Sequence, residues 1–148
     1  MKKFLCVIVI LLISILLVYW SGNNKVNYDI STPENVVKAY FIALNSKDEK
    51  FINSITDSKT SDFYNRKDIK NINLISIEEN TKVADAFNKY GGGMDTKYYD
   101  VKSYKVIYDL QMKTGKDAFD ENGKNQKFVT ITKTDENSNW IIREIGEG

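Results

Sequence analysis

The chain has no histidine, one cysteine and one proline in 148 residues. Without histidine, no Ser-His or Cys-His pair can activate a nucleophile. Tetrahedral zinc sites draw on His and Cys, so they are nearly closed off as well. The one cysteine, Cys6, sits in an apolar run near the N-terminus. It reads as a small residue of that run, and the rest of the chain must hold its fold by packing, with no disulfide. Basic charge is not in excess: the formal net charge is +1, and setting Lys2 and Lys3 aside leaves 19 basic against 20 acidic side chains. Nucleic-acid binders need a basic surplus to displace counterions, so that class is excluded. Arginine is scarce, with only Arg66 and Arg143. Aromatic residues are not scarce: nine Tyr, seven Phe and two Trp are too many for a disordered chain.

The apolar residues are unevenly spread. From Phe4 to Trp20 only Ser14 is not apolar. A cleaved secretory signal has a shorter apolar core and a small-x-small site. Here Tyr19 and Trp20 stand where small residues would be needed. A lipoprotein signal needs Cys at the end of the run, and Cys6 is at its start. An uncleaved anchor fits better. Phe4 to Gly22 spans about 28 Å as a helix, close to the roughly 30 Å hydrocarbon core. Lys2 and Lys3 suit one interface and Tyr19 and Trp20 the other. The positive-inside rule puts the N-terminus in the cytoplasm and the remainder outside. The expected division is 1–22 membrane anchor, 23–31 linker and 32–148 extracytoplasmic domain, with secretion after cleavage as the alternative.

Ser31-Thr32-Pro33-Glu34 reads as a helix start with a capping box. Val36, Val37, Tyr40, Phe41 and Leu44 follow at helical spacing. Phe51, Ile52 and Ile55 mark a shorter helix from about Asp48. Residues 57–68 read as a loop or helical turn, and 71–79 as a strand. Val83, Ala84, Ala86, Phe87 and Tyr90 suggest another helix, ended by Gly91-Gly92-Gly93, whose glycines are expected to supply positive φ. Tyr104, Val106, Tyr108, Leu110 and Met112 alternate with Ser103, Lys105, Ile107, Asp109 and Gln111 in the clearest strand. Residues 115–125 read as a turn-rich connection. Strands follow over 128–133 and 140–145, joined by a hairpin turn at 135–139. Helices first and then hairpin-linked strands predict an α+β fold, with helices on one face of a mainly antiparallel sheet.

STPENVVKAYFIALNSKD resembles the opening helix of nuclear transport factor 2-like domains, which share a cystatin-like cone of curved sheet wrapped around a helix. NLISIEE, KVADAFNKYGGG, VKSYKVIYDL and WIIREIGEG resemble one bacterial domain-of-unknown-function family, number 4829, found largely in low-GC Gram-positive bacteria. The resemblance covers residues 32–148. It implies the cone fold and an extracytoplasmic setting, and no activity. It also implies that many relatives carry a lipoprotein Cys, from which this chain departs.

Asp135, Asn137 and Asn139 alternate as in the start of a calcium loop. Trp140 and Gly146 stand where that loop needs Gly and Glu, so a hairpin turn is the better reading. Asp117, Asp120 and Glu121 read as solvated loop. The glycine run lacks the Lys-Ser/Thr of a phosphate loop. No catalytic residue, metal or cofactor is therefore expected. Tyr40, Tyr104, Tyr108 and Trp140 are the candidates to line a cone cavity. Some superfamily relatives use Asp and Tyr there as lyases or isomerases. Asp109 would be the acid–base group, although alternation puts it on the face opposite Tyr104 and Tyr108, where it could pair with Lys133. The first expectation is a non-enzymatic module that binds an envelope ligand or protein outside the bilayer. The alternatives are that Asp/Tyr enzyme and a structural domain pairing with a second copy through its sheet.

Overall fold

Thr32 sets the start of the first helix. The computed structural model describes residues 26–58, 60, 66–113 and 122–147. The expected anchor with Lys2, Lys3, Cys6, Tyr19 and Trp20 lies outside these residues, as do Asp117, Asp120 and Glu121. Among the described residues no helix is long and apolar enough to cross a membrane.

Helix α1 runs Pro33–Ser46. The hydroxyl of Thr32 accepts the backbone N–H of Asn35 at 3.1 Å. The expected capping box needs Ser31 as cap and Glu34 at the third helical position. With Thr32 as cap that position belongs to Asn35, whose side-chain amide donates back to Asp29 at 2.7 Å. Glu34 instead pairs forward with Lys38, one turn on. The helix ends on Lys47 in the left-handed region, φ 62°. Helix α2, Glu49–Ile55, is capped by Asp48, whose carboxylate accepts the Phe51 N–H at 3.0 Å. Tyr28, in the expected linker, stacks on Phe51 with ring centroids 3.7 Å apart. A single 3-10 turn, Arg66–Asp68, leads into strand β1, Ile69–Glu79.

Helix α3, Thr81–Tyr90, is capped by Asn80. Strands β2 (Asp100–Met112), β3 (Gly123–Lys133) and β4 (Ile141–Gly146) follow. The four strands form an antiparallel meander in the order β1-β2-β3-β4, so the α+β expectation holds. The helices neither all come first nor share one face: α3 lies between β1 and β2 and packs on the face opposite α1, beside Phe128 and Thr130. Strand β3 starts at Gly123, earlier than the expected Phe128. Polar Lys124, Asn125 and Gln126 show no apolar alternation, yet they pair with Asp109, Tyr108 and Ile107.

One sheet face is the core face. Val36, Val37, Tyr40, Phe41 and Leu44 of α1 pack with Ile52 and Ile55 of α2 and with Ile72, Tyr104, Val106, Tyr108, Leu110, Val129, Ile131 and Ile142 of the sheet. Burying each large apolar side chain contributes roughly 1.5–3 kcal/mol, so this layer supplies most of the driving force. On the other face α3 packs on β2 and β3. Beneath α3, Ser103 and Thr130 are both buried, and their hydroxyls lie 2.8 Å apart.

Register shifts mark bulges. In β1 the pairing jumps from Leu74 to Ser76, leaving Ile75 as an extra, exposed residue. In β4, Ile142 pairs with Ile131 and Glu144 with Thr130, leaving Arg143 as the extra residue. A bulge re-aims side chains that alternation would send to opposite faces.

Candidate ligand-binding site

Gly91, Gly92 and Gly93 do not adopt positive φ; among the described glycines only Gly123 does. Their reason is close approach to Phe87. A β-carbon at Gly93 would stand 3.0 Å from Phe87 Cδ1 and 2.9 Å from Asn88 Oδ1. One at Gly92 would stand 3.1 Å from Phe87 Cε2. The glycine run therefore wraps the Phe87 ring and holds it down on the sheet.

Phe87 forms one wall of a groove of about 240 Å³ between α3 and strands β3 and β4. Val83, Ala86 and Tyr90 continue that wall along the helix, and Phe128 lies across from them. Thr130 and Glu144, partners across the β3–β4 ladder, close one side. Glu147 lies at the rim, where its carboxylate accepts from Lys127 at 2.9 Å. Lys127 is itself buried, so this pairing keeps its ammonium compensated. Glu144 makes no ion pair with any described residue.

The bulge in β4 supports this wall. Arg143 Nε donates to Thr132 Oγ1 at 3.1 Å, and its guanidinium pairs with Asp57. The same guanidinium lies 5.4 Å from the centre of the Tyr98 ring, which in turn packs 6.0 Å from Phe87. Asp57 is held by its own N–H to the Ile142 carbonyl at 2.9 Å. One charged cluster thus ties the segment after α2, the edge strand and the loop after α3 to the ring that lines the groove.

The residues singled out in the sequence lie elsewhere. Tyr40, Tyr104 and Tyr108 are buried in the core beneath α1, and Trp140 is half-buried against it. Phe41 bridges Tyr40 and Tyr108, at 5.6 and 5.3 Å between ring centroids. Burial pushes the Tyr104 phenol up to about 12, and the negative charges of Glu79, Glu34 and Asp100 add to it. Lys133 Nζ lies 5.7 Å over the Trp140 ring. Asp109 stands on the opposite face in register with Asn73 and Lys124, not with Lys133, which is opposite Asp100. The strand offset, which alternation alone does not specify, decides that pairing.

Further cavities lie elsewhere among the described residues. One, about 570 Å³, runs between α1 and β1 beside the exposed Ile42 and Ile75. Another, about 710 Å³, is polar and built by the loop over residues 93–101. None of these three cavities takes Tyr40, Tyr104, Tyr108, Trp140 or Asp109 into its lining. Among the described residues no group of His, Cys, Asp or Glu is arranged to hold a metal ion. At Asp135 the carboxylate accepts the Asn137 N–H at 2.9 Å, which is a turn-closing bond.

Phe87, Phe128 and Glu144 went unnoticed in the sequence as a site. Phe128 and Thr130 share a strand face, but Glu144 reaches that face only beside the bulge. No curated protein and no solved structure matches the chain. A family model described as a domain of unknown function, DUF4829, matches residues 34–146, which takes in every element from α1 to β4 and all of the groove except Glu147. The chain belongs to the DUF4829 family.

Proposed function

We propose that this chain is a non-enzymatic binding module held outside the cell membrane, with the α3 groove as its ligand seat. The groove carries the reading. It joins aromatic and aliphatic walls to one carboxylate without an ion pair, on a helix and two paired strands. Ligand sites are mostly apolar with a few placed polar groups, and sites on rigid elements hold their geometry better than loops. The position of Asp109, on the face away from Tyr104 and Tyr108, weighs against the acid–base reading.

The address rests on the apolar run Phe4–Trp20, flanked by Lys2 and Lys3. It gives a single-pass protein of the bacterial cell membrane, with the domain outside. Helix α1 laid on one face of a four-stranded antiparallel meander supports assignment to the nuclear transport factor 2-like, cystatin-like superfamily.

Two experiments test this reading. The isotopically labelled full chain, in detergent, is titrated with small neutral aromatic, ammonium and carboxylate fragments. Saturable NMR shifts at Val83, Phe87 and Phe128 are expected for at least one class. Shifts scattered over the surface, or none for any class, would overturn the groove as the seat. For the address, protease added to intact cells should remove the domain; full protection would overturn the topology.

A further inference from the structure

We propose that one end of the domain, where α1 ends, β1 starts and β2 ends, lies against anionic phospholipid headgroups of the membrane, an inference that rests on Phe4–Trp20 being an anchor. Lys47, Lys70 and Lys113 stand at that end, all exposed. Ile69 pairs with Met112, so Lys70 and Lys113 each stand next to that pair on adjacent strands. The Lys113 N–H donates to the Asp68 carbonyl at 2.8 Å, and its ammonium donates to the Lys67 carbonyl. Lys47 Nζ donates to the Leu44 carbonyl at 3.2 Å, at the close of α1.

Positive charge is in surplus here. Segments 46–50 and 66–70 together with Lys113 carry six basic residues against three acidic ones, Asp48, Glu49 and Asp68. Lys47, Lys70 and Lys113 make no ion pair with any described residue. Asp48, next to Lys47, is already engaged: one oxygen accepts the Phe51 N–H and the other the Tyr28 hydroxyl. Burial, and then the charge of Lys113, hold the Lys47 ammonium below the usual lysine range. Anions laid across these lysines relieve that repulsion.

The tether selects the anion. Tyr28 stacks on Phe51 with ring centroids 3.7 Å apart. Its hydroxyl lies 3.2 Å from Ser46 Oγ and donates to Asp48 at 3.1 Å. The segment that leads in from the apolar run is therefore fastened beside Lys47. Only seven residues, 21–27, separate Trp20 from Tyr28. Fully extended, that stretch reaches about 25–30 Å, which keeps the Lys47 end near the bilayer. The turn after β3 stands at the far end, because Lys133 pairs with Asp100 at the start of β2. Lysines close to an anionic bilayer each add to attraction, and the effect fades within a Debye length of about 8 Å.

The test reconstitutes the labelled full chain into nanodiscs of phosphatidylcholine, alone or mixed with phosphatidylglycerol, each doped with a lipid spin-labelled at its headgroup. The amide signals of Lys47, Lys70 and Lys113 should broaden about threefold or more strongly in the anionic discs than in the neutral ones. Those of Asn137 and Ser138 should not. Combining Lys47→Gln, Lys70→Gln and Lys113→Gln should erase the difference while the spectrum of the folded domain persists. Equal broadening in the two discs, or broadening that survives in the triple variant, would overturn the proposal and leave the anchor standing. Broadening at Asn137 and Ser138 as strong as at Lys47 would overturn the assigned end. Inorganic phosphate that shifts the three lysines in neutral discs would overturn the lipid as the source. A chain that fails to float with either disc would overturn the anchor, and the proposal with it.

Discussion

Glu144 pairs with Thr130 across the β3–β4 ladder, one residue past the bulge that sets Arg143 out of register. Without that extra residue, Arg143 and Glu144 would point to opposite faces. With it, Arg143 binds Thr132 and Asp57 while Glu144 lines the groove beneath α3. The edge strand thus carries an occupied cation beside an anion with no ion pair.

The glycine run gives a first prediction. Gly93→Ala places a methyl 3.0 Å from both the Asn88 Cα and the Phe87 ring, so either the backbone or the ring must shift. Overpacking of this kind costs about 1–3 kcal/mol. Urea unfolding should show that loss, and the NMR signals of Phe87 should move.

Lys47 gives a change of opposite sign. It holds φ 62° at the end of α1, a region that costs a residue with a side chain about 1–2 kcal/mol. Its ammonium is also held below the usual lysine range, first by burial and then by Lys113. Lys47→Gly removes both penalties, less the extra entropy that glycine loses on folding. A gain of about 0.5–1 kcal/mol in unfolding free energy is expected.

Ser103 and Thr130 form an isolated hydroxyl pair under α3. Either change alone, Ser103→Ala or Thr130→Val, leaves one buried hydroxyl without its partner and should cost about 1–3 kcal/mol. The double variant should be less destabilised than the sum of the two. A double-mutant cycle reads this coupling directly.

Tyr104 governs the alkaline limb of stability. Its phenol is pushed up to about 12 in the folded chain, whereas an unfolded phenol ionises near pH 10. The folded chain therefore holds a proton that the unfolded chain gives up between those values. The contribution is complete below pH 10 and is lost as pH climbs through that window. Urea midpoints measured from pH 9 to 12 should fall more steeply for the natural chain than for Tyr104→Phe. Parallel declines would contradict the assignment.

Much of this fold is legible in residue spacing. Val36, Val37, Tyr40, Phe41 and Leu44 announce α1, and Tyr104 to Met112 announce β2, because one buried face imposes its period on the chain. Register is less legible. Asp109 opposes Lys124 because of an offset between strands, which neither strand's own pattern records. Bulges are invisible for the same reason: 140–145 reads simply as a strand, and nothing in its own residues marks Arg143 as the one left out of register. The glycine run announces a helix end correctly, but its cause is a ring packed against it, a tertiary fact. The tyrosine stripe is legible as buried residues. The groove is not, because its walls come from 83–91, 128–130 and 144–147, far apart in the chain.

Ala86 offers the most direct test of the groove. It is exposed on α3 and lines the cavity without joining the core, so Ala86→Trp fills the groove at little cost to folding. Titration of the fragment class that shifts Phe87 and Phe128, into the full chain and into Ala86→Trp, measures what that filling does. The expected result is a loss of affinity of about tenfold or more with an unchanged melting temperature. Equal affinity in the two chains would contradict the groove as the place where this protein binds.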